Sequence, residues 1–151
     1  MERKEEKRIK KIIKEFCLKL GLEKIDKINV EDNTFFLKSQ SEEPELYIGK
    51  GGVVLNNIQY ILAKLVSREL GEKVFIDFDV NDYKEQKINY LKETARELAD
   101  EVALTKEEKL LPPMSAYERR IIHLTLSERD DVETESKGRE PERQVLIKPI
   151  I

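Results

Sequence analysis

Apolar residues along the first 80 positions follow two kinds of spacing. Steps of three and four residues place side chains on one helical face, whereas strict alternation places them on one face of a strand. Gly21 and Gly71 follow the two helical stripes, at positions where helices end. The predicted elements are a helix over residues 3–20, a hairpin centred on 31–34, a short extended or turn segment ending at Tyr47-Ile48, a helix over about 54–71 and a strand over 74–78.

The second half of the chain begins with a long helical stripe. Residues 82–103 carry apolar residues at alternating three- and four-residue steps, with charged residues between them. The stripe covers fewer heptads than a coiled coil needs, which favours packing within a domain. Ser115 and Glu118 stand at the spacing of a capping box, so a second helix begins just after the serine. Two strands, 132–136 and 144–148, complete the pattern.

Composition and charge restrict the function. The 151 residues are 39% hydrophobic and 39% charged, which allows cores behind a heavily ionised surface. The net charge of −3 provides no global positive field, so any contact with a polyanion must be local. A single cysteine, Cys17, and a single histidine, His123, predict neither a disulfide nor a four-ligand zinc site, and we expect no cofactor.

No targeting or membrane-spanning segment is evident in the sequence. The first residues lack the apolar core of a signal peptide, and no run approaches the ~20 apolar residues that cross a bilayer. We therefore expect a cytoplasmic protein without stable membrane insertion. Cys17 lies on the apolar stripe of the first helix and is predicted to be a buried packing residue.

A glycine-rich segment, Gly49-Lys50-Gly51-Gly52, stands directly before the second predicted helix. Glycines let a ligand approach the backbone closely, and the amides at a helix start favour anions. The segment lacks the Lys-Ser/Thr pair of a nucleotide-triphosphate loop and the third glycine of the dinucleotide fingerprint. Two interpretations remain: the Gly-x-x-Gly loop of a KH domain, which clamps single-stranded nucleic acid, and an ordinary tight turn.

A second motif places Arg119 and His123 four residues apart on one face of a predicted helix. Tyr117, Ile121 and Leu124 are predicted to turn towards the core. An exposed Arg and His can together hold a phosphate and stack on a base. The alternative is a surface helix whose histidine is half-buried and hydrogen-bonded. An enzyme is a weaker interpretation, because no nucleophile or paired carboxylate accompanies the histidine.

A third motif is the turn 136–143, which carries the cations Lys137, Arg139 and Arg143. Two glutamates in the same turn offset most of this charge, which is typical of a solvated hairpin tip. If the hairpin folds back next to the helix that carries Arg119 and His123, the cations form one positive spot.

The three motifs taken together resemble a known family. Segments 48–60, 114–123 and 132–143 are similar, in order and spacing, to the bacterial Jag proteins, also called KhpB or SpoIIIJ-associated proteins. The similarity spans nearly the whole chain. It implies an α+β protein of two small domains: a KH domain over residues 1–80, with a three-stranded sheet and helices, and an R-x-x-x-H domain over 81–151, with a small sheet packed against two helices.

The resemblance also implies a function. Family members bind single-stranded RNA without catalysis, and we expect a bacterial RNA regulator or chaperone linked to cell elongation, division or envelope processes, with single-stranded DNA as an alternative ligand. A small KH protein of the KhpA kind is an expected partner, and the N-terminal Jag domain of many members is expected to be lacking. The competing hypothesis is a protein-interaction adaptor that keeps both folds without binding RNA. The residues expected to contact RNA are Gly49, Lys50, Gly51, Gly52, Arg119, Arg120, His123, Lys137, Arg139 and Arg143.

Overall fold

A computed structural model describes residues 2–151. The chain divides into two compact units, Met1–Tyr83 and Lys84–Ile151. Each unit combines a small sheet with helices, which confirms the predicted α+β class. The elements are α1 (Arg3–Lys19), β1 (Lys24–Ile25), β2 (Asn29–Glu31), β3 (Thr34–Gln40), α2 (Glu45–Ile48), a 3₁₀ turn (Lys50–Gly52), α3 (Val53–Leu70), β4 (Phe75–Val80), α4 (Tyr83–Thr105), β5 (Lys109–Leu110), α5 (Ala116–Leu126), β6 (Val132–Lys137) and β7 (Gln144–Pro149).

The sheet of the first unit is built around β3. Strands β1 and β2 pair with β3 in antiparallel fashion, and β4 pairs with it in parallel, from Thr34 opposite Phe75 to Ser39 opposite Val80. The two-residue strand β1 is the fourth strand of a sheet that we predicted with three. Parallel pairing needs a crossover connection, which α2 and α3 supply. Within the described chain no strand covers the outer edge of β4, so that edge remains open beside α3.

The core of the first unit lies between the sheet and the apolar faces of α1 and α3. Phe35 and Phe78 contribute the largest fully buried side chains. Cys17 is also fully buried, as predicted, and desolvation raises the pKa of its thiol to about 11. The other buried apolar side chains of this core are Ile9, Ile13, Leu22, Ile28, Leu37, Leu55, Ile58, Leu62, Val66, Val74, Ile76 and Val80.

The segment before the glycine loop differs from the predicted extended or turn segment. It forms the four-residue helix α2, which follows Pro44 and ends at Gly49. Proline fixes φ at a helical value and needs no amide partner, so it favours a helix start. The hydroxyl of Tyr47 in α2 donates a hydrogen bond to the Leu20 carbonyl at 2.8 Å. This bond anchors α2 to the end of α1, a long-range contact that local spacing does not reveal.

In the second unit, α4 and α5 pack on the sheet β5-β7-β6, whose pairings are antiparallel. The predicted capping box is present: Glu118 N donates to Ser115 Oγ, and Ser115 N donates to Glu118 Oε2, both at 3.2 Å. The buried apolar side chains of this core are Leu91, Ala95, Ala99, Val102, Leu111, Ile122, Leu126, Val132, Val145 and Ile147.

None of the helices in residues 2–151 is both long enough and apolar enough to cross a bilayer. The same residues contain no group of three or more His, Cys, Asp or Glu side chains arranged to hold a metal ion.

Candidate nucleic-acid interface

The glycine loop between α2 and α3 needs glycine at two positions for its own geometry. Gly49 has φ 71° and ψ 178°, and Gly52 is left-handed at φ 84°. A Cβ at Gly49 would lie 2.5 Å from Cγ2 of Val54, and one at Gly52 would lie 3.2 Å from the Tyr83 ring. Both positions therefore combine a backbone conformation that L residues rarely adopt with a close neighbour.

Several amides of this loop are used within the loop itself. Gly49 N donates to the Glu45 carbonyl at 3.0 Å, Gly52 N donates to the Gly49 carbonyl at 3.2 Å, and Val53 N donates to the Lys50 carbonyl. The amides of Gly49 and Gly52, which we expected to hold phosphates, are thus already engaged. The loop offers instead an exposed lysine and an open approach at Gly51, where a Cβ would meet no atom within 4 Å.

A groove of about 820 Å³ runs between α3 and the start of β4. Tyr60 and Phe75 line it with rings that are 63% and 53% exposed. Each ring has a lysine over it: Nζ of Lys64 lies 5.4 Å from the Tyr60 ring centroid, and Nζ of Lys73 lies 5.3 Å from that of Phe75. We name these four residues, together with Arg68, the α3/β4 groove.

The α3/β4 groove has the chemistry of a surface for single strands. Its lining includes three cations and, among the described residues, a single carboxylate, Glu72. Exposed rings accept stacked bases of any sequence, while neighbouring cations attract the phosphates. We did not predict the two rings from the sequence. Alternation with the buried Val74 and Ile76 does place Phe75 on the outer side of its strand, and that signal was available.

In the second unit, Arg119 is buried, whereas we predicted it on an exposed face of the helix. Only 8% of its side chain is accessible. Nη1 donates to the Met114 carbonyl at 2.7 Å, and Nη2 donates to Glu140 Oε1 at 2.5 Å. The glutamate comes from the turn between β6 and β7, so Arg119 connects that turn to the segment before α5.

His123 corresponds to the alternative interpretation, a half-buried and hydrogen-bonded histidine. Its Nδ1 lies 2.6 Å from Oγ1 of Thr134, and its Nε2 lies 2.8 Å from Oγ of Ser136, both on β6. Burial, followed by the nearby charge of Arg119, lowers the pKa of the imidazole. Both ring nitrogens are engaged, and the ring favours the neutral form.

The outer face of α5 carries residues that we predicted in the core. Tyr117 is 64% exposed and Leu124 is 61% exposed, whereas Arg119, Ile122 and Leu126 form the buried face. The prediction was therefore wrong for Tyr117 and Leu124. Apolar residues occupy both sides of this helix. From the spacing alone, we predicted that the side without the arginine faces the core. The Glu140 contact is what allows a cation on the buried side.

Four of the predicted site residues meet in one shallow depression of about 600 Å³. Arg119, Arg120, His123 and Arg143 all line it. Lys137 and Arg139 are exposed on the adjoining turn and do not line it. The turn is closed by Arg143 Nη1, which donates to the Gly138 carbonyl at 2.6 Å. The remaining lining residues are Ala116, Tyr117, Leu124 and Ser136.

Comparison with known proteins identifies the family of the chain. Residues 89–149 match the R3H domain family. The RNA-binding protein KhpB of Clostridium symbiosum is 34% identical over 108 residues, which are 72% of this chain and 49% of that protein. The RNA-binding protein KhpB of Lactiplantibacillus plantarum is 35% identical over 102 residues, which are 68% of this chain and 32% of that protein.

A third relative, the RNA-binding protein KhpB of Bacillus subtilis, is 33% identical over 108 residues, which are 70% of this chain and 52% of that protein. The chain thus spans about half or less of the length of these curated relatives. All three relatives are named KhpB, and the matched R3H range includes Arg119 and His123. These matches confirm the family resemblance seen in the sequence. The chain belongs to the KhpB, or Jag, family and carries an R3H domain.

Proposed function

We propose that this chain is a non-catalytic binder of single-stranded RNA that acts in the cytoplasm. The observation that carries the proposal is the α3/β4 groove, where two exposed rings each lie beside a lysine. Stacking on such rings is worth roughly 1–3 kcal/mol per base and tolerates any sequence. Local cations also provide the attraction that a net charge of −3 does not.

The first unit acts, in this proposal, as a KH domain over residues 1–80. Helix α3 begins at the glycine loop and lines the groove further along, with Tyr60 about 10 Å beyond Val53 along the helix axis. A strand that follows α3 passes Lys50 with its phosphates and reaches the rings with its bases. Gly49 and Gly52 shape the turn, and Gly51 leaves room for the sugar-phosphate backbone.

The second unit provides, in this proposal, a further contact through its R-x-x-x-H domain over residues 81–151. Arg120, His123 and Arg143 line the depression, with Lys137 and Arg139 beside it on the turn. Arg119 supports this surface from below through its bond to Glu140. Two weak sites on one chain raise the overall affinity through effective concentration.

The absence of catalysis is proposed from the names of the relatives, which are RNA-binding proteins, and from the engagement of both His123 nitrogens by hydroxyl groups. A small KH protein of the KhpA kind is proposed as partner on the family resemblance, and co-elution of the two purified proteins tests it. Roles in cell elongation, division or envelope processes stay proposals of the same origin.

The central test measures RNA affinity against salt concentration. Fluorescence anisotropy of a labelled mixed-sequence RNA strand compares the full chain with the double variant Lys64→Ala/Lys73→Ala. We expect weaker binding and a slope of log affinity against log salt that is smaller by about 1.4, since each lost phosphate contact removes about 0.7. Lys11→Ala/Lys14→Ala, on the exposed face of α1, is the control. If the wild type binds no RNA, the proposed function is wrong. If Lys64→Ala/Lys73→Ala has the same salt slope as the wild type, the α3/β4 groove does not contact the phosphates.

The glycine loop has its own test. Lys50→Asp with Gly51→Asp places two carboxylates where phosphates are proposed to pass. Asp tolerates the left-handed conformation of Gly51, where φ is 65°, and nothing stands within 4 Å, so the circular dichroism spectrum should not change. We expect RNA binding to be lost. Unchanged affinity would show that the loop is an ordinary turn, and capture of proteins without RNA would favour the adaptor hypothesis.

A further inference from the structure

The outer face of α5 forms a ridge that the Arg-x-x-x-His motif does not include. Tyr117, Arg120 and Leu124 follow one another at steps of three and four residues, so they lie on one side of the helix. Tyr117 and Leu124 are both more than 60% exposed. The two are separated by about 10 Å along the axis, a span that suits one nucleoside.

The polar atoms of the motif residues have other partners beneath this ridge. Arg119 donates to Met114 and Glu140, and His123 contacts the hydroxyls of Thr134 and Ser136. A ligand that reaches the depression therefore finds polar atoms of the motif already engaged. The other lining residues include one exposed aromatic ring, one exposed aliphatic side chain and two guanidinium groups, those of Arg120 and Arg143.

We propose that Tyr117 is the base-stacking residue of the R3H domain, with Leu124 against the same nucleoside and Arg120 and Arg143 on the flanking phosphates. The inference rests on the proposed RNA binding and assigns the contact within the second unit. In it, Arg119 and His123 are positioning residues: the arginine fixes the β6–β7 turn, which carries Arg143 at its end, and the histidine connects α5 to β6.

Charge favours a nucleotide over an apolar protein segment as the occupant. The residues that line the depression include three arginines and, within residues 2–151, no carboxylate. Arg119 is paired with Glu140, so the charge that a ligand meets comes from Arg120 and Arg143. An exposed tyrosine next to a leucine also suits a protein partner, but these two cations would then lie beside the partner's apolar surface. Phosphates on both sides of a stacked base match the arrangement of ring and cations.

The test uses three variants of the full chain and the same labelled RNA. Tyr117→Ala should lower the affinity about 5- to 150-fold, the range for loss of one stacked base, whereas Tyr117→Phe keeps the ring and should keep the affinity. Tyr90→Ala is the matched control, because Tyr90 is 66% exposed on α4 of the same unit but does not line the depression. This control should bind like the wild type.

An abasic scan of the RNA, measured with the wild type and with Tyr117→Ala, gives a double-mutant cycle between each base and the Tyr117 ring. At one position, removal of the base should weaken wild-type binding strongly and leave the variant unaffected, because the base and the ring act as a pair. Equal sensitivity of both proteins at every position would overturn the inference. If Tyr117→Ala does not fold, the scan is run on the variant Lys64→Ala/Lys73→Ala. The inference requires a base-sensitive position that persists in this variant, and loss of every such position would overturn it.

Failure of this inference differs from failure of the proposed function. A wild type that binds no RNA contradicts the function itself. If the wild type binds RNA and Tyr117→Ala binds it equally tightly, only the stacking assignment is contradicted. Loss of affinity in Tyr117→Phe equal to that in Tyr117→Ala would also overturn it, since the hydroxyl and not the ring would then be the binding group.

Discussion

Arg119 and Glu140 form an ion pair across the R3H domain, with Nη2 of the arginine 2.5 Å from Oε1 of the glutamate. The two partners differ in environment, because 8% of the arginine side chain and 59% of the glutamate side chain are accessible. The pair therefore joins a buried cation to a surface turn. The arginine for which the domain is named acts here first as a structural residue.

Substitution of Arg119 by Ala should destabilise the second unit. The variant loses two charge-assisted hydrogen bonds, to the Met114 carbonyl and to Glu140, while the freed carboxylate is exposed and can be hydrated. We expect a loss of about 2 kcal/mol in the free energy of unfolding. Amide hydrogen exchange in α5 and β7, monitored as the urea concentration increases, measures this loss in the free energy of unfolding.

The control for this variant is Arg120→Ala, which removes an exposed arginine from the same helix and should change stability by less than about 0.5 kcal/mol. Equal stability of Arg119→Ala and Arg120→Ala would contradict the structural role of the buried pair.

The stability of the second unit should depend on pH through His123. Burial and Arg119 lower the pKa of the imidazole in the folded chain below the unfolded value near 6.5. Well above pH 6.5 both states are neutral and the contribution to stability is fully present. As the pH falls below 6.5 the unfolded state binds the proton first, so the free energy of unfolding decreases.

The imidazole Cε1–H resonance should therefore titrate with a midpoint below 6.5. His123→Gln should remove this part of the pH dependence, so the stability difference between wild type and variant should shrink between pH 7.5 and pH 5. A titration midpoint at or above 6.5 would show that the ring is not held in its neutral form.

Two glycines of the loop should respond very differently to substitution. Gly49→Ala places a Cβ 2.5 Å from Val54 at a φ of 71°, and the strain should cost about 1–3 kcal/mol or more in the first unit. Gly51→Asn adopts the left-handed conformation readily and meets no neighbour within 4 Å, so its cost should be small. Thermal unfolding compares the two. A larger loss from Gly51→Asn would contradict the described loop.

The thiol of Cys17 should be inert in the folded chain. It is fully buried, and burial raises its pKa to about 11, so the reactive thiolate is scarce at pH 7. Ellman's reagent should label it in urea and leave it nearly unlabelled in buffer. Fast labelling in buffer would show that α1 does not hold the thiol in the core.

The sequence predicted most of the elements, because their signals are local. The capping box of Ser115, the terminal Gly71 and the alternation around Ile76 each specify an element through neighbouring residues. The short helix α2 depends in part on the long-range hydrogen bond between Tyr47 and Leu20, and the spacing of the chain could not reveal that bond.

The orientation of α5 was harder to predict for a related reason. Its burial of Arg119 depends on Glu140, 21 residues further along the chain. Without that partner, physical reasoning places an arginine outside and Tyr117 and Leu124 inside. We did not predict the α3/β4 groove because Tyr60 lies on α3 and Phe75 on β4. The adjacency of these two elements follows from the parallel pairing of β3 and β4.

The division into two units, combined with the scarcity of two residue types, supplies the protein with native reporters. The chain has one cysteine and one histidine, and these fall in different units. Thiol labelling therefore follows opening of the first unit alone, and the single imidazole resonance follows the second. A titration with RNA can thus register events at each unit independently in the unmodified molecule, without an engineered probe.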